Sequence, residues 1–336
     1  MMQFQLLCLM ILSSLLVPMY AYWAKKRRVV DVPNARSSHQ VVTPRGGGIV
    51  FVGLWMCWLL TQYGQLPHWV IFSLCPPVLL LMFLGFWDDL CDLSAAGRFL
   101  GQIVAAGFFL GALTILSGHP IILFGLPVWL CVPMALLALV WSTNLFNFMD
   151  GTDGIASLEA LWIFLPGGAL LYHYNAWPLL LVTTALSACI VGFLIWNWPK
   201  AKIFMGDVGS SVLGFVVVAT ALSAQHLYDC PVWYWLVLYA VFWFDATVTL
   251  CRRALDKQPI WQAHRLHAYQ RLHQSGVSHL NILKCISFVN ALLTVLVFAT
   301  LYFDFLSFAK MIALTLCILT LYYRRIERLK PFSKIT

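Results

Sequence analysis

Five polar clusters interrupt an otherwise apolar chain of 336 residues, and their side chains are those that handle phosphates and divalent cations. Residues 88–92 read DDLCD. On a helix Asp88 and Asp92, or Asp89 and Asp92, share a face, where carboxylates repel unless a cation sits among them. Hard oxygen donors suit Mg2+ or Mn2+ better than Zn2+. From Asn144 to Gly154 the chain reads NLFNFMDGTDG, which brings Asn144, Asn147, Asp150 and Asp153 close together. Unpaired carboxylates beside hydrocarbon are costly. The stretch is therefore either a polar loop with an Asx turn at each Asp-Gly or a bracket for a charged ligand.

FMGDVGS at 204–210 sets Asp207 between Gly206 and Gly209, and glycines permit close backbone approach. Ser210 is placed to cap the helix that follows, and a helix N-terminus suits phosphate. Arg45 stands in PRGGG. An arginine clasps phosphate through two hydrogen bonds, although the stretch lacks the GxxxxGK[ST] pattern of a P-loop. His264 and His267 are three apart. With no Cys or Glu at metal spacing, they read with Arg265 and Arg271 as a clasp for a polyanion rather than a zinc pair. Asp245 lies within an apolar run shortly before Arg252 and Arg253. Carboxylates for a hard metal, with Arg and His for phosphates, suit phosphoryl transfer to or from a lipid phosphate.

The elements that must hold these groups are membrane spans. Hydrophobic residues make up 61% of the chain and charged residues 10%, against about 25% charged in soluble domains. The expected fold is an all-α polytopic membrane protein. Eleven spans are expected, near 4–24, 47–65, 68–87, 100–117, 121–143, 156–173, 177–196, 210–227, 232–250, 282–302 and 306–323. The basic run Lys25 to Arg28 follows the first apolar run and none precedes it, which favours a retained first span with its N-terminus outside. The C-terminus is then cytoplasmic, as are 25–46, 88–99, 144–155, 197–209 and 251–281. With this orientation only Lys310 of the 21 Lys and Arg residues falls outside. All the polar clusters share that cytoplasmic face, within one membrane domain covering 1–336. The formal net charge of +8 reflects the positive-inside rule and not nucleic-acid binding. The ten cysteines contain no CxxC pair and read as small buried hydrophobes.

Taken together, the motifs resemble those of the polyprenyl-phosphate N-acetylhexosamine-1-phosphate transferases, glycosyltransferase family 4. The residues that carry the resemblance are Asp88-Asp89 with Asp92, Asn144/Asn147/Asp150-Gly/Asp153-Gly, FMGDVGS, and His264-Arg-Leu-His267, with DVPNARSSH and TPRGGG before them. They run from about residue 31 to 273. The resemblance implies transfer of a sugar-1-phosphate from a UDP-N-acetylhexosamine to undecaprenyl phosphate, releasing UMP. It implies Mg2+, with Mn2+ as the alternative, and a place in the bacterial inner membrane, with a homodimer admitted. By analogy Asp207 is the direct metal ligand, and Asn147, Asp150 and Asp153 hold nucleotide and metal. Phe204 stacks on uracil. Asp88 and Asp89 face the carrier phosphate, while Arg45, His264 and His267 bind phosphates. Asp245, Arg252 and Arg253 are further candidates for substrate contact.

Two departures bear on the branch. Asp92 stands where the phospho-MurNAc-pentapeptide transferases have lysine, and HRLHAYQ is shorter in histidine than their run. The expected branch is therefore the one that starts O-antigen, lipopolysaccharide or capsule, with the peptidoglycan branch as the alternative. A transporter is the competing class, but its path needs polar groups at many depths, and here they crowd one face. A CDP-alcohol phosphotransferase is disfavoured because its longer acidic signature does not follow Asp150.

Overall fold

Each expected apolar segment folds as a helix, because backbone polar groups in hydrocarbon must be satisfied within their own segment. A computed structural model describes residues 2–33, 41–91, 93–259, 264–303 and 306–332. Its helices are α1 (Met2–Lys26), α2 (Gly48–Thr61), α3 (His68–Cys91), α4 (Ala95–Ser117), α5 (Val128–Met149), α6 (Ile155–His173) and α7 (Trp177–Asn197). They continue with α8 (Gly206–Tyr228), α9 (Val232–Leu238), α10 (Ala240–Leu255), α11 (Ala268–Gln274), α12 (His279–Tyr302) and α13 (Phe308–Leu329). Strands β1 (Val30–Asp31) and β2 (Thr43–Pro44) pair antiparallel. Asp92 lies outside the described residues.

Among the described residues, eight helices are long and apolar enough to cross a membrane. The expected ninth span is two helices, α9 and α10, bent by 74° at Tyr239; counted as one span they make nine. Helix α2 has 14 residues, about 21 Å at 1.5 Å per residue. Helix α13 ends in Arg324, Arg325, Glu327 and Arg328. The chain thus has the all-α architecture of a multi-pass membrane protein, with one short pair of strands.

Helix α8 is the centre of the bundle, with 83% of its most apolar stretch buried. Small residues let its neighbours approach, as is usual between membrane helices. A Cβ on Gly214 would stand 2.3 Å from the Ser142 carbonyl oxygen, and Ser142 Oγ donates to the Gly214 carbonyl at 2.6 Å. This close contact fixes the end of α5 against the start of α8. On the other side, α1 packs on α7: Ser13 donates to the Cys189 carbonyl and Trp196 Nε1 to that of Ser14.

The helices run further into the polar clusters than the apolar pattern indicated. Asp88 and Asp89 lie in the last turn of α3, Asn144 and Asn147 in the last turns of α5, and Asp207 in the first turn of α8. Only 150–154 connects α5 to α6. Ser210, expected as a cap, is instead inside α8, where its hydroxyl donates to the Gly206 carbonyl.

Candidate active site

The glycines of PRGGG and FMGDVGS make the two stretches one structure. Gly47 and Gly48 N–H donate to the carbonyls of Phe204 and Met205 at 2.9 and 2.7 Å, and Phe204 N–H donates to that of Pro44 at 2.8 Å. Gly206 has φ +73°, and a Cβ there would meet Asp89 Oδ2 and the Gly46 backbone, each at 2.7 Å. A Cβ on Gly85 would meet the Val208 nitrogen at 2.6 Å. Three chain segments converge here because none of these positions carries a side chain.

The carboxylates gather on this platform. Asp88 accepts from Leu93 N–H and from Arg98, both at 2.6 Å. The same Arg98 Nη1 lies 3.6 Å from Asp207 Oδ2. Asp207 Oδ1 accepts from Asn147 Nδ2 at 2.8 Å, and Asn147 also donates to Ser210 Oγ at 3.1 Å. Asp89 is buried; Arg45 donates to its carbonyl at 2.7 Å and has its Nε 3.7 Å from Oδ1. Asp89 Oδ2 and Arg45 Nε make no hydrogen bond among the described residues. Asp150, between α5 and α6, is held well above the usual carboxylate range by burial first, then by the charges of Asp207, Asp89 and Asp153.

This donor set fits a small hard cation. Four aspartates act on one another, one buried carboxylate oxygen is unpartnered, and a cavity of about 20 Å³ opens between Asp88, Arg98 and Asp207, room for a single water or ion. Among the described residues, no three His, Cys, Asp or Glu side chains already close on one point. Mg2+ does not require that, since it takes one or two carboxylates and completes its shell with water and substrate phosphates.

A cavity of about 1060 Å³ lies alongside, lined by Asp153, Phe204, His279, Lys25, Lys200 and Lys202 among others. Its charged lining is mostly basic, as an anionic ligand requires. Asp153 is buried there; its Oδ2 accepts from Ala201 N–H at 3.2 Å and lies 3.0 Å from His279 Nδ1. Tyr269 braces the 150–154 connection. Its hydroxyl donates to the Phe148 carbonyl at 3.1 Å and would be 2.2 Å from a Cβ on Gly151.

The structure thus brings Asp88, Asp89, Asp150, Asp207, Asn147 and Arg45 into one group, with Asp153 and Phe204 on the adjoining cavity. Asn144 lies one turn further in, exchanging amide hydrogen bonds with Gln102 at 2.6 and 3.3 Å. The remaining candidates have other partners. Asp245 accepts Ala268 N–H with both oxygens, at 2.9 and 2.8 Å, and Thr249 Oγ1 at 3.1 Å, so it tethers the start of α11 to α10. Arg252 pairs with Glu327 at 2.9 Å over the ring of Tyr323. Arg253 is fully buried and donates to the Pro259 carbonyl at 2.6 Å. His267 precedes α11 with its ring stacked on Tyr269. His264 is brought to about 3 by burial, then by His267 and Arg253, and is neutral near pH 7.

Sequence reasoning missed Arg98, Gln102, Tyr269 and His279. Arg98 carried a signal: it is the one basic residue within 88–99, next to DDLCD. His279 carried none, being 126 residues from Asp153 (279 − 153) and outside any polar motif.

Residues 70–225 match the profile of Glycosyl transferase family 4. A probable undecaprenyl-phosphate N-acetylglucosaminyl 1-phosphate transferase of Bacillus subtilis (strain 168) is 30% identical over 285 residues, which is 79% of this chain and 75% of the relative. An undecaprenyl-phosphate alpha-N-acetylglucosaminyl 1-phosphate transferase of Yersinia pestis is 29% identical, over 81% of this chain and 77% of the relative. A phospho-N-acetylmuramoyl-pentapeptide-transferase of Synechococcus sp. (strain JA-3-3Ab) is 31% identical, over 84% of this chain and 86% of the relative.

Proposed function

The chain belongs to glycosyl transferase family 4, the polyprenyl-phosphate N-acetylhexosamine-1-phosphate transferases, and from that premise we propose that it moves N-acetylhexosamine-1-phosphate from a UDP-sugar to undecaprenyl phosphate. The observation that carries this reading is the gathering of Asp88, Asp89, Asp150 and Asp207 with Arg45 and Arg98, beside a basic cavity that Phe204 lines. The products are UMP and a lipid-linked sugar diphosphate. The branch is the one that starts surface glycans such as O-antigen, lipopolysaccharide or capsule. In the proposed orientation, with the N-terminus outside and α2 and α13 also crossing, the site is at the cytoplasmic face of the bacterial inner membrane.

Mg2+ is the proposed cofactor, Asp207 and Asp150 its proposed holders. When bound it neutralises charge on the transferring phosphoryl group. Asn147 orients Asp207 through the bond to Oδ1. Arg45 and Arg98, each beside an aspartate, supply fixed positive charge for the two phosphate substrates. A phosphate monoester has its second pKa near about 6, so the acceptor is largely dianionic at neutral pH and needs no strong base. One of its oxygens attacks the β-phosphorus of the donor, a new P–O bond forms, and the bond from the β-phosphorus to the bridging oxygen breaks, that oxygen leaving on UMP. Phe204 and the cavity hold the nucleoside while Asp153 stays on the donor side.

The test is turnover by purified protein with undecaprenyl phosphate, Mg2+ and a panel of labelled UDP-N-acetylhexosamines. The expected result is labelled lipid from at least one donor, with UMP, and none from UDP-MurNAc-pentapeptide. No labelled lipid from any donor, together with ion flux in liposomes, overturns the reading in favour of a transporter.

A further inference from the structure

His279 lies outside every motif that carries the family resemblance, yet it faces the large cavity beside the carboxylates. It is the first residue of α12, and the chain enters from a turn capped by Ser278, whose hydroxyl accepts Asn281 N–H. Its Nδ1 is 3.0 Å from Asp153 Oδ2. The carboxylate beside Nδ1 favours a proton on that nitrogen and leaves Nε2 for something else. The ring of His273 stands 4.6 Å away, centroid to centroid. Nε2 of His279 is buried and has no partner among the described residues. A buried polar atom without a partner costs free energy, and this one belongs to a side chain on the cavity wall.

We propose that His279, oriented by Asp153, is a donor-recognition residue whose Nε2 hydrogen-bonds the nucleotide portion of the UDP-sugar. This rests on the transferase reading above and adds a contact that the motifs do not include. Phe204 takes the face of a planar base, Lys25, Lys200 and Lys202 supply positive charge, and His279 is the directional group among them. Asp153 thereby acts through His279. The contact is proposed for the donor, because Arg45 and Arg98 are each already paired with an aspartate, Asp89 and Asp88.

The experiment compares wild type, His279→Ala and His279→Gln as full-length protein. It measures UMP binding by titration calorimetry, KM for donor and for acceptor, and Tm. For His279→Ala the expected result is a loss of UMP affinity and a rise in donor KM of about tenfold or more, with acceptor KM and Tm near wild type. Glutamine, which can still hydrogen-bond, recovers part of the loss. The inference is overturned if UMP affinity and donor KM stay within about twofold of wild type. It is equally overturned if donor and acceptor KM rise together with a fall in Tm, the mark of a structural role. UMP binding is read without turnover, so absence of catalysis by wild type would count against the transferase reading and leave this outcome legible. No UMP binding by wild type overturns the inference.

Discussion

Gly206→Ala is the sharpest single perturbation of the site, because glycine is required there by both backbone and space. At φ +73° an L-residue costs about 1 kcal/mol or more. The added Cβ would stand 2.7 Å from Asp89 Oδ2 and from Gly46, where ordinary contact begins at 3.4 Å, so the neighbours must part by about 0.7 Å (3.4 − 2.7). That displacement separates Asp207, the next residue, from Asp89. Misplacement of a reacting group by about 1 Å costs about a hundredfold in rate, and a shift of this size predicts a loss of tens to a hundredfold in kcat. Gly118→Ala is the control: φ is +76°, but nothing lies within 4 Å of its added Cβ. Both variants should lower Tm by a few degrees, while only Gly206→Ala loses turnover. The assay is initial rate with saturating donor and acceptor, beside thermal unfolding in the same detergent. If Gly206→Ala keeps turnover within twofold of Gly118→Ala, the close approach of Gly206 to Asp89 does not position the site.

Three further outcomes follow from named contacts. Asn147→Ala removes the donor to Asp207 Oδ1 and to Ser210, and should cut kcat by about tenfold to a hundredfold with Tm little changed; steady-state kinetics beside thermal unfolding reads it. Asp150 has a raised folded pKa, so the unfolded state releases its proton first as pH rises. Metal-free stability should therefore fall from about pH 4 upward until the folded pKa is passed. Asp150→Asn should flatten that fall, and excess Mg2+ should narrow the difference, both checked by Tm between pH 5 and pH 8. Asp245→Ala removes the acceptor of Ala268 N–H and Thr249; it should destabilise by about 2 kcal/mol while KM for donor changes less than twofold. A large rise in donor KM with Tm intact would restore Asp245 to the substrate contacts.

The clusters at 88–92, 144–154 and 204–210 were legible because each sets several polar residues against an apolar background, where chance placement is costly. Their convergence was not legible in detail. PRGGG reads as flexible beside Arg45, whereas its glycines are needed for the approach of α2 to α8 and of Gly46 to Asp89. Asp245 carries a structural role that the sequence did not show: an isolated acid in a membrane span reads as functional by default, and here its oxygens satisfy the orphan N–H at the start of α11. Arg252 looked like a substrate contact because its partner Glu327 is distant in sequence, and Arg253 because its partner is a backbone carbonyl, that of Pro259. The break between α9 and α10 follows neither a glycine nor a proline, since Tyr239 stands at the bend, so no local signal marked it. The pairing of Asp153 with His279 joins distant parts of the chain and has no sequence pattern at all.

The transfer itself is tested most directly by following a donor labelled at the β-phosphate through a single turnover. Mixed with undecaprenyl phosphate and Mg2+, wild-type protein should release UMP in equal amount to the label that appears in lipid, and Asp207→Asn should do neither while folding normally. Without the lipid acceptor no UMP should form. UMP released in its absence, with the labelled phosphosugar left on the protein, would contradict direct attack and point to Asp88 or Asp89 as a covalent carrier. Label that never reaches lipid with any N-acetylhexosamine donor would contradict the transfer altogether.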